Sequence, residues 1–153
     1  MIPSAQSSLD SKVRGCLTDG EEVFAKAFGL HGYPKSTERQ MKLWGLYFIG
    51  AFLNLALSDR IYFVLTSRRL LMLEVSPKYA RHLGTAEIES RGIVVTEVSS
   101  WGPYVLLEFL YQRGDHAAEE YRIRFPKWQT AFKRNADNAK KLIDCLQVSR
   151  SKD

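Results

Sequence analysis

Polar and apolar positions change rhythm several times along this chain of 153 residues. Residues 61–65 and 70–73 are two nearly unbroken apolar runs, Ile-Tyr-Phe-Val-Leu and Leu-Leu-Met-Leu, separated by Thr66-Ser67-Arg68-Arg69. Short apolar runs around one polar step predict a tight hairpin at the centre of a sheet. Residues 22–28 alternate instead, Val23, Ala25 and Ala27 opposing Glu22, Phe24, Lys26 and Phe28, and predict a strand. Further strands are predicted at 92–98, 104–112 and 119–125, the last two flanking a second hairpin at Arg113-Gly114-Asp115-His116. Residues 76–82 read as a polar loop and 99–103 as a turn, while 85–89 is too short to assign.

Two stretches follow a helical period. Leu9, Val13, Cys16 and Leu17 share one face of a short helix that Ser8 or Asp10 could cap, after a frayed tail over 1–8. Trp128, Ala131, Phe132, Asn135, Ala139, Leu142, Ile143 and Leu146 recur at helical spacing behind Pro126, which suits a first helical turn. Residues 148–153 read as a disordered tail. Residues 43–57 are apolar nearly all round, so a helix there must be buried. At 1.5 Å per residue it would span roughly 22 Å, short of the roughly 30 Å hydrocarbon core of a bilayer. Burial in the domain or at a subunit contact, insertion at a membrane interface, and two short strands broken at Gly50 all fit this run.

Hydrophobic residues at 45% and charged residues at 25% argue against global disorder and for one domain with one core. The net charge of +5 gathers late: from Arg122 onward nine Lys/Arg face three Asp. Lys127, Lys133, Arg134, Lys140 and Lys141 fall on the polar face of the last helix, the pattern of a solvated surface. The aromatic residues alternate with aliphatic ones in strand patterns, so they point to a core and not to a base-stacking nucleic-acid surface. Cys16 and Cys145 have neither metal nor redox spacing and read as reduced, buried thiols of a cytoplasmic protein. The N-terminus lacks the basic and apolar regions of a secretory signal.

His31, His82 and His116 sit in separate predicted loops, without a partner at metal spacing. Glu21-Glu22 and Glu119-Glu120 point to opposite faces of their strands, and Glu87 and Glu89, which share a face, read as solvated. No nucleophile elbow, phosphate-binding glycine loop or Cys-x-x-Cys occurs. The expectation is a protein that is not an enzyme and holds no metal or cofactor.

Gly20-Glu21 before the first strand, Leu65-Thr66-Ser67-Arg68-Arg69-Leu70-Leu71 at the hairpin, and the closing amphipathic helix resemble the bacterial pleckstrin-homology-like domains, relatives of the PH and GRAM folds. The resemblance covers residues 20–147, behind an N-terminal tail and short helix over 1–19. It implies an α+β fold: a bent antiparallel sandwich or barrel of about seven strands, capped by the C-terminal helix, with an apolar insertion at 33–58. The basic cluster by which eukaryotic PH domains hold inositol phosphates has no counterpart here, where only Lys26 and Lys35 are basic near the first strand. The implied role is a non-enzymatic interaction module for a protein partner or another copy, with anionic membrane binding as the alternative and small-ligand or nucleic-acid binding as a third class behind both. Candidate contact residues are Trp44, Tyr47, Phe48 and Phe52. Arg68, Arg69, Lys78 and Arg81 form a candidate basic rim, although the two hairpin arginines could instead serve structure, one of them pairing with a carboxylate such as Glu74. The expected location is cytoplasmic, including the inner face of the membrane.

Overall fold

Apolar residues placed consecutively along a strand must bury both faces of the sheet, and residues 61–75 do so. The computed structural model describes residues 5–32, 59–76, 82–112, 114–115, 117–128 and 132–151. Within them β2 (Asp59–Thr66) and β3 (Arg69–Val75) form the expected hairpin, turning at Ser67 and Arg68. Ile61, Phe63, Leu65, Leu70 and Met72 enter one core, while Tyr62, Val64, Leu71, Leu73 and Val75 enter a second on the opposite face.

Five more strands complete one antiparallel sheet: β1 (Val23–His31), β4 (His82–Glu89), β5 (Ile93–Trp101), β6 (Tyr104–Tyr111) and β7 (Glu119–Pro126). Their order is β4-β3-β2-β1-β7-β6-β5. A 3-10 turn, Ser90–Gly92, joins β4 to β5. With α1 (Ala5–Cys16) and α2 (Asn135–Ser151), the described chain is a seven-stranded α+β fold. The two ends of the sheet share one core, since Leu107, Phe109, Ile123 and Phe125 join Phe63, Leu65 and Leu70 in the first cluster. Ala139, Leu142, Ile143 and Leu146 of α2 fill the same space, which makes the fold sandwich-like. In β6 and β7 the outward positions carry Glu108, Glu120, Arg122 and Arg124, and Glu108 pairs with Arg122 at 3.2 Å. That alternation is expected where only one face is apolar.

The second core explains α1. Leu9 and Val13 are 1% and 2% exposed against the outer face of β1–β3. Asp10 accepts from the Tyr62 hydroxyl at 2.9 Å and pairs with Lys26 at 3.1 Å, which sets the helix's register on the sheet. Phe132 closes this core, its ring 4.6 Å from Phe28 and 5.3 Å from Tyr62. Aromatic pairs at such distances contribute beyond their buried area.

Several boundaries differ from the sequence pattern. Pro126 ends β7 instead of opening a helix, Trp128 is 79% exposed, and α2 begins at Asn135. The cause is a gap in the ladder. Among the described residues β1 and β7 pair at Leu30–Arg124 and His31–Ile123, with the Gly32 N–H donating to the Arg122 carbonyl at 3.1 Å just beyond, and the same register sets Phe28 opposite Pro126, which has no N–H. The Asn135 side chain fills in: the Phe28 N–H donates to Oδ1 at 2.8 Å, and Nδ2 donates to the carbonyls of Phe28 and Pro126 at 2.8 and 2.7 Å. Asn135 is therefore a buried junction and cannot continue a helix started at Trp128. At the other end α2 runs through Ser151 where a disordered tail is expected, because residues 147–151 contain no Gly or Pro to stop it. The unassigned 85–89 stretch belongs to β4, and a bulge between Val23 and Ala25 leaves Phe24 44% exposed while Phe28 is buried. Cys16 is exposed, since Leu9 and Val13 alone anchor the buried face of α1, and both cysteines are free.

Trp44, Tyr47, Phe48 and Phe52 lie outside the described residues, as do Lys78, Arg81 and the whole of 33–58.

Candidate functional site

The hairpin arginines fall into two different settings. Thr18-Asp19-Gly20 makes a turn in which Gly20 has φ of +80°, a conformation glycine adopts without steric cost. That turn delivers Glu21 beneath the β2–β3 hairpin. Its side chain is fully buried, and the carboxylate accepts from Thr66 Oγ1 at 2.6 Å, Arg69 Nε at 2.9 Å and Arg69 Nη2 at 3.0 Å. The Thr18 N–H donates to it at 3.1 Å. A two-pronged guanidinium contact and a hydroxyl stabilise the charged form, so Glu21 titrates at about 2 instead of 4.5. Arg69 is held charged by Glu21 and by Glu87, to which it donates through Nη1, and its Nη2 also donates to the Cys16 carbonyl at 2.8 Å. Glu74 is not the partner. Residues 69 and 74 point to opposite faces of β3, whereas Glu87 lies diagonally across from Arg69 on the same face.

Arg68 is exposed and, among the described residues, its side chain donates to neutral oxygens, the Thr18 hydroxyl at 2.9 Å and the Asp19 carbonyl at 3.3 Å. Its own carbonyl accepts from the Ser90 hydroxyl at 3.2 Å, tying the hairpin tip to the 3-10 turn. Gly92 then lets β5 start against β6: a Cβ there would stand 2.7 Å from the Gln112 carbonyl oxygen.

These contacts frame a cleft at one end of the sheet. Its first compartment, about 660 Å³, lies between the β1–β2 end and α2 and is apolar at Phe24, Leu65, Cys145 and Val148. Asp137, Lys140, Lys141 and Asp144 of α2 also line it. Their spacing makes two i,i+4 pairs of opposite charge, so the helix side of the opening carries no net charge. The second compartment, about 480 Å³, is polar and holds Arg68, Arg69, Arg91, Glu87 and Glu89. Ser67 and Ser90 line both and mark their junction.

Of the candidate basic rim, then, Arg68 faces the cleft, Arg69 lines it while bound to two carboxylates, and Lys78 and Arg81 lie outside the described residues. Phe24, Ser90, Arg91 and Val148 escaped sequence reasoning. Phe24 sat among polar positions of an alternating strand, and Val148 in an expected tail. Among the described residues no group of three His, Cys, Asp or Glu side chains is placed to hold a metal ion, and no helix is long and apolar enough to cross a membrane.

No family model matches this sequence, and no curated protein matches it. In structure the chain is similar to the hSac2 domain from human phosphoinositide phosphatase Sac2, with a TM-score of 0.55. The likeness spans 95% of this chain and 80% of that one at 9% sequence identity, and it concerns the fold alone.

Proposed function

We propose that this protein is a non-enzymatic interaction module of the pleckstrin-homology-like type, meeting its partner at the cleft end of the sheet. The observation that carries the reading is the placement of two exposed apolar side chains, Phe24 at 44% and Val148 at 53%, on facing walls of one cleft. Contiguous apolar surface of this kind is what a partner covers. The PH-like assignment is supported by the antiparallel seven-strand order, by a C-terminal helix packed into the shared core, and by the meeting of Glu21 with Thr66 and Arg69. Arg69, Glu21 and Glu87 are occupied with one another, which supports binding over turnover. The partner is another protein, including a second copy of this chain, and the setting is cytoplasmic. Anionic membrane surface is the second reading, favoured by Arg68 and Arg91 beside the same apolar residues and by a structural neighbour that is a domain from a phosphoinositide phosphatase.

Mass measurement by light scattering, with and without vesicles of anionic phospholipid, tests both readings. The wild type should exceed the 17.5 kDa of one chain, alone or on vesicles. A Phe24→Ser/Val148→Ser variant, shown folded by circular dichroism, should return to that mass in both conditions. A wild type that stays monomeric throughout overturns the self-association and membrane readings.

A further inference from the structure

We infer that the apolar compartment of the cleft receives Trp128 of a second copy, the two copies exchanging this side chain about a twofold axis. The inference rests on reading the cleft as the docking surface, and it names the partner and the residue that enters. Charge narrows the occupant first. In the polar compartment Arg68, Arg69 and Arg91 are balanced by Glu87, Glu89 and the buried Glu21 that Arg69 holds. On α2, Asp137 and Asp144 balance Lys140 and Lys141. A cleft without net charge offers no compensation for burying an ion of either sign. Its lining of Phe24, Leu65, Cys145 and Val148 suits an uncharged apolar group, and about 660 Å³ is room for a large one.

Such a group stands on the same chain. Trp128 is 79% exposed, more than any other large hydrophobic side chain among the described residues. Tryptophan is among the residues most enriched as anchors of protein contacts, where it seats in a pocket of the partner. Its base is held from both sides: the Lys127 N–H donates to the Pro103 carbonyl at 2.8 Å, and the Asn135 amide to the Pro126 carbonyl at 2.7 Å. Trp128 does not line the cleft of its own chain. It does leave the sheet at the same end, because β7 runs antiparallel to β1 and finishes where β1, with Phe24, begins. Anchor and cleft at one end suit an isologous contact, which closes at two copies instead of growing into a filament. Each copy then buries one indole, roughly 150–250 Å² for an aromatic side chain, together with one cleft lining. That core is about half of the roughly 800 Å² that each partner of a standard interface buries. The polar rims supply the rest, and the dissociation constant is on the order of micromolar.

Light scattering of the full chain up to about 100 μM reads the association. The wild type should rise toward twice 17.5 kDa. Trp128→Ser, a change at an exposed site, should keep the wild-type circular dichroism and stay at the mass of one chain. Trp128→Phe, with a smaller ring, should associate about tenfold more weakly than the wild type. A second measurement isolates one insertion. Isotope-labelled Trp128→Ser, whose cleft is intact, is titrated to about 1 mM with unlabelled Phe24→Ser/Val148→Ser, whose tryptophan is intact. Its amide NMR signals at Phe24, Leu65, Cys145 and Val148 should shift, and unlabelled Trp128→Ser in the same titration should move none of them. Absent or scattered shifts overturn the seat, and a wild type that stays monomeric without vesicles overturns the exchange. Should Trp128→Ser associate like the wild type while Phe24→Ser/Val148→Ser does not, this inference falls alone and the cleft takes another occupant. If both variants associate like the wild type, the reading of the cleft falls with it.

Discussion

Glu21 shows how one residue can decide the acid stability of a fold. Its carboxyl titrates at about 2 in the folded protein, against 4.5 when free of these contacts, because Arg69, Thr66 and the Thr18 N–H favour the anion. A depressed folded value means the folded chain binds this proton less readily than the unfolded chain. The stabilisation is therefore complete above about pH 5 and drains away as the pH falls through 4.5 toward 2. Allowing for solvent screening at the turn, it is on the order of 2 kcal/mol. Glu21→Gln should lower the urea midpoint at pH 7 and flatten its fall between pH 5 and pH 3. A variant that keeps the wild-type acid response would show that other carboxyls govern it. This contact was half legible: both fragments stood out in the sequence, yet 48 positions separate Glu21 from Arg69, and no local spacing reports such a meeting.

Elements in this protein are joined by side chains as much as by ladders. The seam between β1 and β7 holds two backbone pairs, and the Asn135 amide extends it where Pro126 has no N–H to give. Asn135→Ala strands a buried N–H and two carbonyl oxygens and should cost about 2–4 kcal/mol in urea unfolding. Asn135→Asp should cost at least as much, since its carboxylate would face the carbonyls of Phe28 and Pro126. Near-neutral behaviour of both would mean that the seam holds without the amide. Beside it Gly29 cannot be enlarged cheaply, because a Cβ would lie 2.8 Å from Ile123 and 3.0 Å from Phe63. The strands were well marked in the sequence because their period is short and their apolar runs dense. Helix limits were not: the apolar spacing runs from Trp128 to Leu146, yet β7 ends at Pro126 and α2 begins only at Asn135. Only the buried hydrogen bonds of Asn135 show where the helix starts.

At the scale of the whole molecule, both faces of β1–β3 are covered, by α2 on one side and α1 with Phe132 on the other, while one end stays open as the cleft. The seven-strand count and the closing helix were readable from pattern and resemblance. The cleft was not, because it joins Phe24, Ser67, Ser90 and Val148 from four separate parts of the chain. Cys145, half-buried in the lining of the cleft, reports directly on its use as a docking surface. In a Cys16→Ser background Cys145 is the sole thiol, so its alkylation rate can be compared in the free protein and in the associated state. Docking at the cleft predicts a rate at least about tenfold slower on association, as expected when a partner fills the lining. Association that leaves the Cys145 rate unchanged would place the docking surface elsewhere on the molecule.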